Sequence, residues 1–218
     1  MNRIKLLVIL SGLTLCLASC SKSSDDPQKS VSIKDVIPST LLNDLKNRMN
    51  IYDGDTPPSI DGSYLISPAV LVSTTLLTDS CGDIYVDNYI KFTNQNKNNV
   101  VAFNSYEDGS HTSSSNSLSI CGTGRYFTAY LTDYEVSTTD GYTATSATVI
   151  SGEKVASGIR NIRYAFLMIS KNDPNDDLVP VNTIRVFADK DSLATNAIWP
   201  ETKAFYPVHY TYKGKLKY

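Results

Sequence analysis

Histidine is nearly absent: the chain has two in 218 residues, His111 and His209. A zinc site needs three or four converging nitrogen or sulfur ligands, and neither histidine has partners at ligand spacing. Both read as ordinary residues, His111 in a Ser-rich loop and His209 in the final strand. No Ser-centred nucleophile elbow, phosphate-cradling glycine loop or metalloprotease helix is present. Cys121-Gly122-Thr123-Gly124 contains a GxG but opens a strand, so it reads as a turn. No Lys/Arg run exists, and without concentrated positive charge nucleic acid is not an expected partner. No apolar run approaches the roughly 20 residues of a spanning helix, and no repeat recurs at a fixed period. No catalytic residue, cofactor or metal is expected.

What is present begins at the N-terminus. Arg3 and Lys5 precede an apolar run of 12 residues, Leu6 to Leu17, broken only by Ser11, Gly12 and Thr14. This is the length of a secretory h-region. It closes on Leu17-Ala18-Ser19-Cys20, which resembles the lipobox of bacterial lipoproteins at all four positions. The resemblance implies cleavage after residue 19, acylation of Cys20 and a membrane attachment made by lipid chains; two or more chains suffice for stable anchoring. Ser21 to Pro27 is small, polar and charged, and residues 20–38 are expected to form a flexible tether. Asp25 and Asp26 resemble the export signal of surface lipoproteins of the Bacteroidota type. The expected location is therefore the cell envelope, lipid-anchored to the outer membrane and surface-exposed.

The same resemblance reduces four cysteines to two. Cys16 leaves with the signal peptide and Cys20 carries lipid. Cys81 and Cys121 remain, each followed by glycine. An exported compartment favours disulfides, so a Cys81–Cys121 bond is expected; closing a loop of roughly 40 residues would contribute about 3 to 4 kcal/mol. Without residues 1–19 the chain has 199 residues, with 18 basic against 22 acidic side chains. Residues 39–218 suffice for a single domain.

One helix is expected at Ser39, which can cap it, with Leu41, Leu42, Leu45 and Met49 on one face. From Gly62 onward the pattern is β. Tyr64 to Val72 is interrupted by Pro68. Ile84 to Phe92 alternates, with Ile84, Val86, Ile90 and Phe92 on one side. Val100 to Tyr106 follows, then His111 to Ser117 as a loop. Arg125 to Val136 sets Phe127, Ala129 and Leu131 opposite Tyr126, Tyr130 and Tyr134. Tyr142 to Ile150, Ile159 to Ile169, Thr183 to Ala188 and Val208 to Tyr212 complete about eight strands, with one helical turn over Asp191 to Ala197. Asn172 to Asp177 has the oxygen-rich composition of a calcium loop but lacks the glycine and terminal glutamate of an EF-hand, and reads as a solvated turn.

Such spacing predicts an all-β domain: an antiparallel barrel of about eight strands with one N-terminal helix, or alternatively an immunoglobulin-like sandwich. Gly62-Ser63-Tyr64, following a helix, resembles the opening of lipocalin-like (calycin) barrels, which usually carry Trp where Tyr64 stands.

Tyrosine is the one residue above background, at 14 copies. Tyr85 and Tyr89 flank Asp87, and Tyr126, Tyr130 and Tyr134 recur along one strand face. Tyr and Thr are also good strand formers on half-exposed faces. A ring with an apolar body and a polar tip can stack a sugar or grip a protein, so these six residues are the candidate ligand face. The expected function is a non-catalytic, membrane-tethered binding module for a glycan, a small apolar ligand or a partner protein. The alternatives are an accessory subunit of an envelope complex and, third, a carboxylate-based hydrolase.

Overall fold

In the computed structural model of the protein, residues 31–107 and 110–200 are described, those at 110–113 and 116 by backbone alone. Two short helices, α1 (Ile33–Val36) and α2 (Ser39–Lys46), precede twelve strands. These are β1 (Asp55–Thr56), β2 (Gly62–Ile66), β3 (Ala69–Thr74), β4 (Ile84–Tyr85), β5 (Asn88–Thr93), β6 (Val100–Glu107), β7 (Ser110–Thr123), β8 (Tyr126–Ser137), β9 (Tyr142–Val155), β10 (Gly158–Asn172), β11 (Ile184–Asp189) and β12 (Leu193–Asn196).

The twelve strands make eight barrel walls, because three walls are each two short strands meeting at a corner. β2 continues into β3, β4 into β5, and β11 into β12. β12 pairs antiparallel with β2 while β11 pairs with β3, and both pair with β10. The remaining neighbours follow chain order, so the sheet is an up-and-down meander whose last wall returns to its first. β1 adds a short parallel contact to β7. Closure of this kind leaves few open edges. The β7–β8 ladder spans only Ser119↔Tyr130 to Thr123↔Tyr126. Beyond it β7 stays with β6 and β8 with β9.

Pro68 sits at the corner of the first wall, where it has no ladder N–H to lose. Asp189 holds the facing corner. One carboxylate oxygen accepts from Ser67 N at 2.9 Å, the other from Asp191 N at 2.9 Å and Leu193 N at 3.2 Å. Asp189 is 4% exposed, a buried carboxyl whose oxygens accept from backbone donors.

The interior is filled by Tyr64, Ile66, Ile90, Phe92, Phe103, Leu118, Ile120, Phe127, Ala129, Ile150, Ile159, Ile162 and Tyr164. A second core lies outside the wall. Ala147 and Val149 on β9, Ala165 and Leu167 on β10, and Ile184 and Val186 on β11 present an apolar outer face, which Ile33, Ile37, Leu41, Leu42, Leu45 and Met49 cover. The helices thus pack on the flank of the barrel.

Several expectations are corrected. The N-terminus carries two helices, and Pro38, without a side-chain bond, stands at the cap position assigned to Ser39. The folded part begins before residue 39: Ile33 and Ile37 are buried, and Val31 N donates to Ser119 Oγ at 3.1 Å. The Ser-rich loop is part of β7, and the helical turn after Asp191 is β12. Ile84 is exposed while Tyr85 packs inward, because the chain turns between β4 and β5. Cys81 and Cys121 are unpaired. Cys81 is exposed in the loop before β4, whereas Cys121 sits on β7, with β6 between the β4–β5 wall and β7. The expected strand at Val208 to Tyr212, His209, Cys20 and the leader lie outside the described residues.

Candidate functional site

The Tyr126–Tyr130–Tyr134 row shares one face, the outer one, but its members meet different surroundings. Tyr130 is 4% exposed, beneath the N-terminal segment, and its hydroxyl donates to Val31 O at 2.7 Å. Tyr134 is 66% exposed. Tyr126 is 42% exposed and lies 5.0 Å from Tyr52, ring to ring, at 30°. Tyr52 was missed in the sequence because it lies in the irregular stretch after α2. The fold pins it there: its backbone N–H donates to Thr128 Oγ1 at 2.7 Å, and Cys121 Sγ donates to its carbonyl at 3.1 Å. Burial pushes the Cys121 thiol up to about 11, with the Asp53 charge adding to the rise, so it stays a neutral donor.

Beside this tyrosine pair lies a cleft of about 230 Å³, lined by Arg48, Met49, Asn50, Tyr52, Ser151, Asn161 and Arg163. Two of its lining residues, Ser151 on β9 and Arg163 on β10, are register partners, and Thr128 on β8 stands opposite Ser151 in the same row. The β10 wall bulges between Arg160 and Arg163, with Asn161 in the left-handed region at φ 51°. Asparagine tolerates that conformation, and such bulges re-aim neighbouring side chains. Arg48 also lines the cleft, held by Asp44 Oδ1 at 3.2 Å, Ser73 Oγ at 2.9 Å and Thr74 O at 3.1 Å. Arg163 Nη1 donates to Ile162 O at 2.9 Å, and among the described residues no carboxylate forms an ion pair with it. Next to Tyr126 in register, Glu153 is clamped by Arg125 at 3.0 Å and Arg160 at 3.2 Å. The region therefore combines an aromatic wall, amide side chains and a guanidinium without an acid partner.

The other candidate tyrosines are dispersed. Tyr85 packs edge-on against Phe187 at 5.0 Å, partly buried at the interior core. Tyr89 points the other way, edge-on to Tyr106 at 6.0 Å, with Trp199 a further 6.3 Å from Tyr106 and Lys91 Nζ 5.6 Å above the Trp199 ring. Asp87 is exposed at the turn between them. The structure does not bring these residues together with Tyr126.

Inside the barrel, Asn88 pairs in register with Glu107 and its Nδ2 donates to Glu107 Oε1. Burial lifts the Glu107 carboxyl to about 7. Asn88 is 6% exposed, and its Oδ1 has no hydrogen-bond partner among the described residues. Asp79 and Arg185 form a two-point ion pair at 2.8 Å. Burial would raise Asp79; the guanidinium fork and the Thr74 hydroxyl outweigh it and hold the carboxyl below its usual range. In the loop after β10, Lys171 Nζ sits between Asp173 and Asp176, at 2.9 Å from each. The acids of that loop thus hold a lysine. Among the described residues no group of three or more His, Cys, Asp or Glu is placed to hold a metal ion.

Comparison with known proteins finds no matching family model, no matching curated protein and no matching solved structure. The architecture is that of a closed eight-stranded antiparallel barrel with two short N-terminal helices.

Proposed function

We propose that the protein is a lipid-tethered extracytoplasmic binding module whose ligand is a glycan, held on the outer wall of the barrel at Tyr52 and Tyr126. Cys20 supplies the tether, attached to the outer membrane and facing outward, on the strength of the lipobox and its acidic flank. One observation carries the ligand reading: a tyrosine pair, Tyr126 exposed and Tyr52 half-buried, beside an open cleft of about 230 Å³ lined by arginine, asparagine and serine. Aromatic rings take the apolar face of a sugar while polar neighbours take its hydroxyls. The volume falls below the roughly 300 Å³ at which drug-sized sites begin, which suits a single sugar unit. The side chains packed through the barrel interior disfavour a small apolar ligand there. Tyr130 serves packing, and Tyr85, Asp87, Tyr89 and Tyr134 fall outside this site.

The test is a glycan array probed with mature protein and with a Tyr52→Ala/Tyr126→Ala variant. Binding to a subset of glycans, lost in the variant while its melting temperature stays within a few degrees, is the expected result. An array without signal, or one the variant leaves unchanged, overturns the reading.

A second reading, an accessory subunit of an envelope complex, draws on a different surface. Leu77 is fully exposed beside a cleft of about 350 Å³ shared by Leu76, Pro180 and Val181.

A further inference from the structure

We propose that the cleft selects an acidic sugar, with Arg163 receiving its carboxylate and the Tyr52–Tyr126 pair walling its ring. The inference rests on the glycan reading for the ring. The anion preference has its own support.

The first support is the unbalanced guanidinium. Arg160, two residues beyond the turn of β9 into β10, pairs with Glu153 at 3.2 Å, and Arg48 pairs with Asp44 at 3.2 Å. Arg163 lines the cleft with one bond from Nη1 to a backbone carbonyl, and its Nε and Nη2 donors make no described bond. A planar fork of N–H donors matches the two oxygens of a carboxylate. The second support is Arg48, which lines the same cleft. Its guanidinium is fixed through Nε and Nη1 by Asp44, Ser73 and Thr74, so its Nη2 is a donor held in place at little ordering cost. The third is the backbone. The bulge at Asn161 and Ile162 interrupts the β9–β10 ladder directly beside Arg163, and Asn161 N is tied to Ser192 O at 2.8 Å.

A carboxylate and a ring must both be present for the whole cleft to be used. Glucuronate and galacturonate supply both, glucose and galactose supply the ring alone, and inorganic sulfate supplies the charge alone. Titrations at millimolar ligand and constant ionic strength, followed by calorimetry or amide chemical shifts, should rank the uronates about tenfold or more above the neutral sugars, as expected for one charge-assisted fork, and above sulfate. Arg163→Met should bring the uronates down to the level of the neutral sugars. Arg163→Lys, which keeps the charge but not the fork, should fall between; it also serves as the reporter if the methionine variant proves unstable.

The outcomes separate the two claims. Uronates and neutral sugars binding equally, both lost in Tyr52→Ala/Tyr126→Ala, would overturn the acidic preference and leave the glycan reading standing. Sulfate competing as well as glucuronate, with the tyrosine variant unaffected, would overturn the sugar and reduce the cleft to an inorganic oxyanion site. Equal uronate affinity in wild type and in both Arg163 variants would overturn the role of Arg163.

Discussion

A carboxylate that keeps its proton to near neutrality makes folding depend on pH, and Glu107 is such a group: burial raises it from 4.5 to about 7. Below pH 4.5 both folded and unfolded chains are protonated, and the contribution to stability is complete. As pH rises from 4.5 towards 7 the unfolded chain ionises while the folded one retains its proton, so stability falls; above 7 the loss is complete. Its full size is on the order of 3 kcal/mol. Glu107→Gln keeps an acceptor for Asn88 Nδ2 and removes the titration. Urea unfolding at pH 5 and pH 8 should show wild type losing stability over that interval and the glutamine variant losing distinctly less. Equal losses in both proteins would mean that Glu107 titrates as an exposed acid.

At the scale of elements, the N-terminal segment does more than connect. Ile37 is 1% exposed and Ile33 is 4% exposed, both within the outer core against β9, β10 and β11. Truncating a fully buried isoleucine costs about 2 to 5 kcal/mol. Ile37→Ala should therefore destabilise the domain by about that amount in urea unfolding. A free tether reaching residue 38 would make the same change cost nearly nothing, so a loss below about 0.5 kcal/mol would undock the segment. The strand pattern was readable because alternation along Phe127, Ala129 and Leu131 reports one buried face directly. Ile159 to Ile169 is apolar on both faces because the N-terminal helices cover its outer side, a layer that the strand's own pattern does not distinguish from the two faces of a central strand. Ser39 suggested the helix start, yet Pro38 at the cap and the short turn of α1 depend on packing that propensity does not express. Ser110–Thr123 was unreadable as a strand because serine has little strand preference; pairing with β6 decides its conformation. Tyr126 was legible as part of a face. Tyr52, Arg48 and Arg163 were not, because a β-bulge and a long-range contact between irregular chain and barrel wall bring them together.

At the scale of the whole molecule, tether and site share one side of the barrel. The described chain starts at Val31, whose N–H and carbonyl bond to Ser119 and Tyr130 on β7 and β8. Tyr126 stands four residues from Tyr130 on the same strand and the same face, about 13 Å at the usual strand rise. Between Cys20 and Val31 lie ten residues, a reach of at most about 40 Å over the eleven steps, fully extended. With a lipidated Cys20 the ligand site would therefore be held close to the membrane, suited to glycans of the envelope itself or of its immediate surroundings. In this reading attachment depends on the Cys20 side chain; among the described residues no helix is long and apolar enough to cross a membrane. Cys20→Ser should move the protein from the detergent-rich phase to the aqueous phase in a Triton X-114 partition. The described domain should keep its fold, because Cys20 lies ahead of every described contact. Protease added to intact cells should remove the wild-type protein if the domain faces outward. Retention of the Cys20→Ser variant in the detergent phase would overturn lipid anchoring, and the short reach assigned to the site would fall with it.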